Sequence, residues 1–162
     1  MDWNVAIGIG GAMFIAFTLV LGRAKAVLIM LASYAGIAIA GEAGILVSGV
    51  VERVQENTSL AAIKAAVFAA VVMFVALKGE LGPDPDIKEK GTSSTVMTLI
   101  YGFLTTGLVI SSLLSFMPEA ARDSIVESSV LAAQALKYKL WWLVLPVLAM
   151  VGASFFRKPT GK

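Results

Sequence analysis

Residues 26–51 read AVLIMLASYAGIAIAGEAGILVSGVV, twenty-six positions that carry a single charge, Glu42. A helix rises about 1.5 Å per residue and the hydrocarbon core of a bilayer is about 30 Å thick, so about 17 to 25 apolar residues make one crossing. A strand of a membrane barrel would instead alternate in polarity over roughly ten residues. This stretch is continuous and rich in Ala, Leu, Ile and Gly, so it reads as a transmembrane helix. Four more apolar runs flank it, at 5–21, 60–77, 96–116 and 140–156, and the five together cover 99 of 162 residues.

The composition agrees, with 58% hydrophobic and 15% charged residues, which is not that of a soluble domain. The sequence therefore predicts an all-α integral membrane protein, a single membrane domain over 1–162 with about five transmembrane helices. The spans are expected at about 3–22, 26–50, 60–77, 96–116 and 140–156. Little chain is left for a soluble catalytic domain. Met1 and Asp2 supply no basic n-region, and Arg23 and Lys25 follow the first run, so that run is expected to stay as an anchor rather than be cleaved as a signal peptide.

Missing residue types narrow the chemistry. The chain has no Cys and no His, which excludes thiolate or imidazole zinc sites, His-held haem, Cys nucleophiles, Ser-His-Asp triads and disulfides. No pair of catalytic residue types stands at a useful spacing, so no enzyme activity, catalytic residue, cofactor or metal is expected. The net charge is +2 and the basic residues are scattered between spans, where they set topology; no nucleic-acid partner is expected.

If all five runs cross, one side holds Arg23, Lys25, Lys78, Lys88, Lys90, Arg157, Lys158 and Lys162. The other holds Arg53, Arg122, Lys137 and Lys139, with Lys64 inside a span. The positive-inside rule then predicts a cytoplasmic loop at 78–95, a cytoplasmic C-terminus and an N-terminus outside. Trp3, Trp141 and Trp142 fall at the outer boundary in that arrangement. Gly22, Arg23, Ala24 and Lys25 leave room only for a tight hairpin between the first two spans. The segment with Gly82, Pro83, Asp84, Pro85 and Asp86 reads as a solvated linker, since its acidic spacing lacks the full ligand set of a calcium loop.

One segment does not fit as a span. Over 118–138, Pro118 and Glu119 favour a helix start, Ala121, Ile125, Ala132 and Leu136 share one face, and Glu119, Asp123, Glu127 and Gln134 share the other. The pattern predicts an amphipathic surface helix between the fourth and fifth spans. Its polar face is acidic where lipid anchors are usually basic, so it is expected to cap the bundle or meet a partner protein.

Within the spans, small residues mark close helix contacts, because apolar attraction between helices is weak in lipid and backbone approach drives packing. The second run shows Ala32, Gly36, Ala40, Gly44 and Ser48 at four-residue spacing. The third shows Ala62, Ala66 and Ala70 beside Ala61, Ala65 and Ala69, and the first shows Gly8, Ala12 and Ala16. Such stripes serve packing within the chain or a seam of a homo-oligomer. Gly8, Gly10 and Gly11 lie inside a span with no preceding strand and do not form a nucleotide loop. Ionisable residues in spans are costly and make default functional candidates; Glu42 and Lys64 lie at similar shallow depth near the outer face and form a candidate polar pair or two snorkelling side chains. Thr98, Gly102, Thr105 and Ser112 fall in a narrow arc, either as a wet path or as hydroxyl glue. Pro146 predicts a kink in the last span.

The order of elements, the short basic Gly22-Arg23 turn, Tyr34-Ala35-Gly36 in the second span and a surface helix before the terminal span together resemble the colicin V production protein family. The resemblance covers the first half better than the second, and neither the acidic surface helix nor Trp141-Trp142 matches a family pattern. It implies a small bacterial inner-membrane protein with an accessory role in export or envelope maintenance, and supplies no catalytic residues. The leading expectation is a non-enzymatic scaffold or accessory subunit of the bacterial cell envelope whose partners are the lipid bilayer and other membrane subunits. The alternative is an oligomeric pore or small transporter lined by Glu42, Lys64, Thr98, Thr105 and Ser112.

Overall fold

A computed structural model describes residues 2–50, 57–79 and 92–155. Among the described residues the protein is all-helical: α1 Trp3–Leu21, α2 Arg23–Val50, α3 Asn57–Lys78, α4 Thr92–Phe116, α5 Glu119–Ser128, α6 Val130–Lys137 and α7 Lys139–Phe155. Helix is what such apolar stretches must adopt in lipid, since only intrahelical bonds satisfy every backbone N–H and C=O there. Four helices are long and apolar enough to cross a membrane, over Trp3–Leu21, Arg23–Leu46, Leu60–Lys78 and Thr95–Phe116. The pair Val130–Lys137 and Lys139–Gly152, bent by 66°, brings the number to five if it counts as one broken span.

The local sequence sets the ends. Asp2 caps α1 by accepting from the Asn4 N–H at 3.0 Å, which satisfies one of the orphan donors of the first turn. Gly22 ends it with φ +83° and donates its N–H to the Thr18 carbonyl; this left-handed conformation is open to glycine and strained for other residues. The turn is shorter than the four residues read from sequence, because α2 restarts at Arg23 directly after Gly22.

The fourth helix is the hub. Over its span 56% of residues are buried, against 6% in α1 and in α3, and it touches α1, α2, α3, α6 and α7. The most extensive pair is α2 with α3, while α1 lies mainly along α4. Two apolar clusters hold the ends of the bundle. At the Trp3 end, Leu114, Ile125, Ala132 and Ala135 pack with Ile7, Ile110 and Met117. At the Gly22 end, Ala26, Met30 and Tyr101 pack with Tyr34, Met97, Ala149 and Met150.

The segment expected as one amphipathic helix over 118–138 forms two. Ser129 adopts an extended conformation at φ −138° and its hydroxyl accepts from the Ala132 N–H, so it caps α6 and breaks the run. Ile125 and Ala132 are buried and Leu136 half-buried, as the pattern requires, whereas Ala121 is exposed; Glu119, Asp123, Glu127 and Gln134 are exposed. The proline-rich linker at 82–86, the basic residues Arg53, Lys88, Lys90, Arg157, Lys158 and Lys162, and the Ser48 side chain lie outside the described residues.

Candidate functional site

The candidate polar residues are best located from the helix contacts upward. On the α2 face toward α3, Ala32, Gly36, Ala40 and Gly44 are all buried. A Cβ at Gly36 would stand 2.9 Å from Cδ2 of Phe68, so the missing side chain is what admits that ring. Phe68 in turn meets Phe116 edge-on, with centroids 5.9 Å apart and planes at 65°, which ties α3 to the end of α4.

Eight residues further along the same face, Gly44 receives the side chain of Lys64, whose Cε would lie 2.2 Å from a Cβ placed there. Glu42 is exposed on another side of α2. Residues two apart on a helix do not face each other, so a lysine laid over Gly44 is turned away from Glu42. Among the described residues the two form no ion pair. From Arg23 to Glu42 the helix rises about 28 Å, close to the thickness of a bilayer's hydrocarbon core.

On α3 the packed residues are Phe68 and the half-buried Ala61, Lys64 and Ala65. Ala62, Ala66 and Ala70 are exposed on the adjoining face, because one position along a helix is a turn of about 100°. Among the described residues the α2 stripe is met by Phe68 at Gly36 and by Lys64 at Gly44.

Thr98, Thr105 and Ser112 are buried inside the bundle. Thr105 donates to the Tyr101 carbonyl at 2.7 Å and Ser112 to the Leu108 carbonyl at 2.7 Å. Thr18, Ser33, Thr106 and Ser111 likewise donate three or four residues back within their own helices. In lipid a hydroxyl without a partner is costly, and the nearest free lone pair belongs to the preceding turn. The hydroxyl of Thr18 sits where a Gly102 Cβ would be, at 2.3 Å, so this glycine brings α1 and α4 together.

Trp142, expected from sequence at the outer boundary, instead docks α7 onto α4. The ring of Trp142 fills the notch left by Gly107, where a Cβ would lie 2.2 Å from Cε3 and 2.5 Å from Cδ2 and Cζ3. Phe103 meets the same ring edge-on at 5.6 Å and 66°. One turn below, buried Pro146 has no N–H to give the Trp142 carbonyl. The Tyr34 hydroxyl donates instead to the neighbouring Leu143 carbonyl, joining α2 to α7 at the weakened turn. A bend of 66° lies at Tyr138, between α6 and α7, and α7 runs through Pro146 as one helix. Trp142 Nε1 is buried with no hydrogen-bond partner among the described residues.

Two further polar side chains fasten the ends. Asn4 Oδ1 accepts from the Ser129 hydroxyl at 3.0 Å and from the Leu131 N–H at 3.3 Å, which fixes the start of α6 on α1. Lys25 Nζ donates to the Ala76 carbonyl at 3.2 Å and the Gly79 carbonyl at 2.7 Å, capping the last turn of α3. Asn4 was legible as a polar residue beside an apolar run, and Lys25 as a hairpin charge, but neither partner is near in sequence.

Among the described residues no three Asp or Glu side chains stand together as a metal site. The arrangement seals helices against one another, with its hydroxyls turned onto backbone and its small residues used as seats for Phe68, Lys64, Thr18 and Trp142. Comparison of the chain with protein-family models, with curated proteins and with solved structures returns no match.

Proposed function

We propose that this is a non-enzymatic multi-pass membrane protein that acts as a scaffold or accessory subunit in the bacterial cell envelope, in export or envelope maintenance. It lies in the inner membrane with its N-terminus outside and its C-terminus in the cytoplasm, in keeping with the distribution of Lys and Arg. The observation that carries this reading is the use made of buried polar groups. Thr18, Ser33, Thr105, Thr106, Ser111 and Ser112 all bond to carbonyls of their own helices, which supports a packing role over a wet path for Thr105 and Ser112.

Gly36 and Gly44 are consumed inside the chain, while Ala62, Ala66 and Ala70 remain exposed on α3 and offer a close-approach face to another membrane helix. Native mass spectrometry from lipid nanodiscs tests the reading. The expected result is a defined complex, with itself or a co-purified membrane subunit, that Ala66→Leu with Ala70→Leu dissolves while leaving the fold intact. Planar-bilayer currents whose ion selectivity changes on Glu42→Gln would overturn it in favour of a pore.

A further inference from the structure

The bend between α6 and α7 carries a run of exposed basic and aromatic residues. Lys137, Tyr138, Lys139 and Trp141 follow one another around Tyr138, and all four are exposed. The chain turns there by 66°. Lys137 Nζ stands 5.6 Å from the Tyr138 ring centroid. Among the described residues no carboxylate lies within ion-pair distance of either lysine; the ion pair found is Arg122 with Asp123, on α5.

Depth makes this set distinctive. Trp142 is seated on Gly107, nine residues before the end of α4 at Phe116, which is roughly 13 Å below that end. The neighbouring Thr106 touches Gly11, eight residues beyond the start of α1 at Trp3, which is about 12 Å by the same rise. Lys139 lies nearly one turn before Trp142 in α7, so it leaves the backbone roughly 8 Å inside the rim set by α1 and α4. An ammonium group that starts there rises along the protein surface toward the headgroup level, and among the described residues no carboxylate pairs with it.

We propose that the α6–α7 bend is a binding site for an anionic glycerophospholipid. The phosphate is held between the Lys137 and Lys139 ammonium groups and reached by the Tyr138 hydroxyl, while the glycerol backbone and upper acyl chain lie along Trp141 and Leu140. Charge complementarity favours an anionic lipid over a zwitterionic one, whose own ammonium group would compete for the same phosphate. The exposed rings of Tyr138 and Trp141 suit the boundary between headgroup and chain. The site rests on the reading of the chain as membrane-inserted.

The test uses the full chain with Trp3→Phe, reconstituted in nanodiscs, and compares quenching of the remaining tryptophans by brominated phosphatidylglycerol and brominated phosphatidylcholine. The expected result is quenching by both, with apparent affinity about thirtyfold higher for phosphatidylglycerol, the ratio that corresponds to about 1 kcal/mol for each of two basic residues at an anionic surface. Lys137→Gln with Lys139→Gln should abolish the preference and keep the quenching by phosphatidylcholine; both side chains are exposed, so the fold is retained. Lys64→Gln, at the same end of the bundle but laid over Gly44, should keep the preference. Equal quenching by the two lipids, or loss of the preference in Lys64→Gln as well, overturns the site. Displacement by soluble glycerol phosphate in excess overturns its assignment to a lipid. No quenching by either lipid overturns the membrane reading itself.

Discussion

Replacing Gly107 with alanine adds one methyl group at the seat of Trp142, and its cost follows from geometry. The new Cβ would stand 2.2 Å from Cε3 and 2.5 Å from Cδ2 and Cζ3 of the indole, where carbon atoms normally rest at about 3.5 to 4.0 Å. The ring must therefore retreat by about 1.3 Å or more. It cannot flex one atom aside, because the atoms met belong to the rigid six-membered ring, and Phe103 is packed against the same indole. The movement passes to α7 and strains the Tyr34 bond to the Leu143 carbonyl. Overpacking of this kind costs about 1 to 3 kcal/mol, and loss of the hydrogen bond adds about 0.5 to 1.5 kcal/mol. Alanine recovers up to about 1 kcal/mol as a better helix former, leaving a net destabilisation of about 1 to 3 kcal/mol. Gly10→Ala is the control, since nothing lies within 4 Å of a Cβ there, and it should be neutral or slightly stabilising. Reversible unfolding by dodecyl sulfate in mixed micelles, followed by circular dichroism, measures both. In the Trp142→Ala background Gly107→Ala should lose most of its cost, giving a coupling energy of at least about 1 kcal/mol. A Gly107→Ala protein as stable as Gly10→Ala would refute the seating of α7 on α4.

Tyr34→Phe removes the hydroxyl that reaches the Leu143 carbonyl from α2, and should cost about 0.5 to 1.5 kcal/mol in the same unfolding assay, with faster hydrogen exchange confined to α7. Asn4→Ala withdraws the acceptor shared by the Ser129 hydroxyl and the Leu131 N–H; the amides of α6 should exchange faster while those of α2 and α3 are unchanged. Lys25→Met leaves the carbonyls of Ala76 and Gly79 without their donor and should lower stability by about 0.5 to 2 kcal/mol, whereas Lys64→Met, which loses no hydrogen bond or ion pair among the described residues, should change it by less than about 0.5 kcal/mol.

The existence of the helices was legible because hydropathy over some twenty residues is a local property, and Gly22 marked its own turn because only the backbone of that residue is involved. The Ala32, Gly36, Ala40 and Gly44 stripe was legible for the same reason: spacing alone places four small residues on one face. What sits on that face was not. Counting residues gives Lys64 and Glu42 an expected depth, but their relation depends on rotation about the helix axes, and Lys64 turns toward Gly44. The same rotation leaves Ala62, Ala66 and Ala70 outside and brings Phe68 in. Ser129 carried a readable signal, an N-cap residue just ahead of Val130 within the acidic helix, yet the apolar period runs through it and hides the break. The Gly107 seat for Trp142 and the reach of Tyr34 to Leu143 join positions 35 and 109 residues apart, and no periodicity within one helix encodes that register.

The notch at Gly107 and the hydroxyl of Tyr34 are in place well before their partner is made. A ribosome that has finished α4 has supplied both, yet Trp142 and Leu143 belong to the last helix of the described chain. During that interval the notch faces acyl chains and Tyr34 has no carbonyl of α7 to meet. Arrival of α7 is thus what completes these contacts, while the hydroxyls of α4 are already bonded within their own helix and expose no unsatisfied donor to lipid in the meantime. In a chain made from its N-terminus the seat precedes the side chain that fills it, an order set by where glycine and tryptophan were placed.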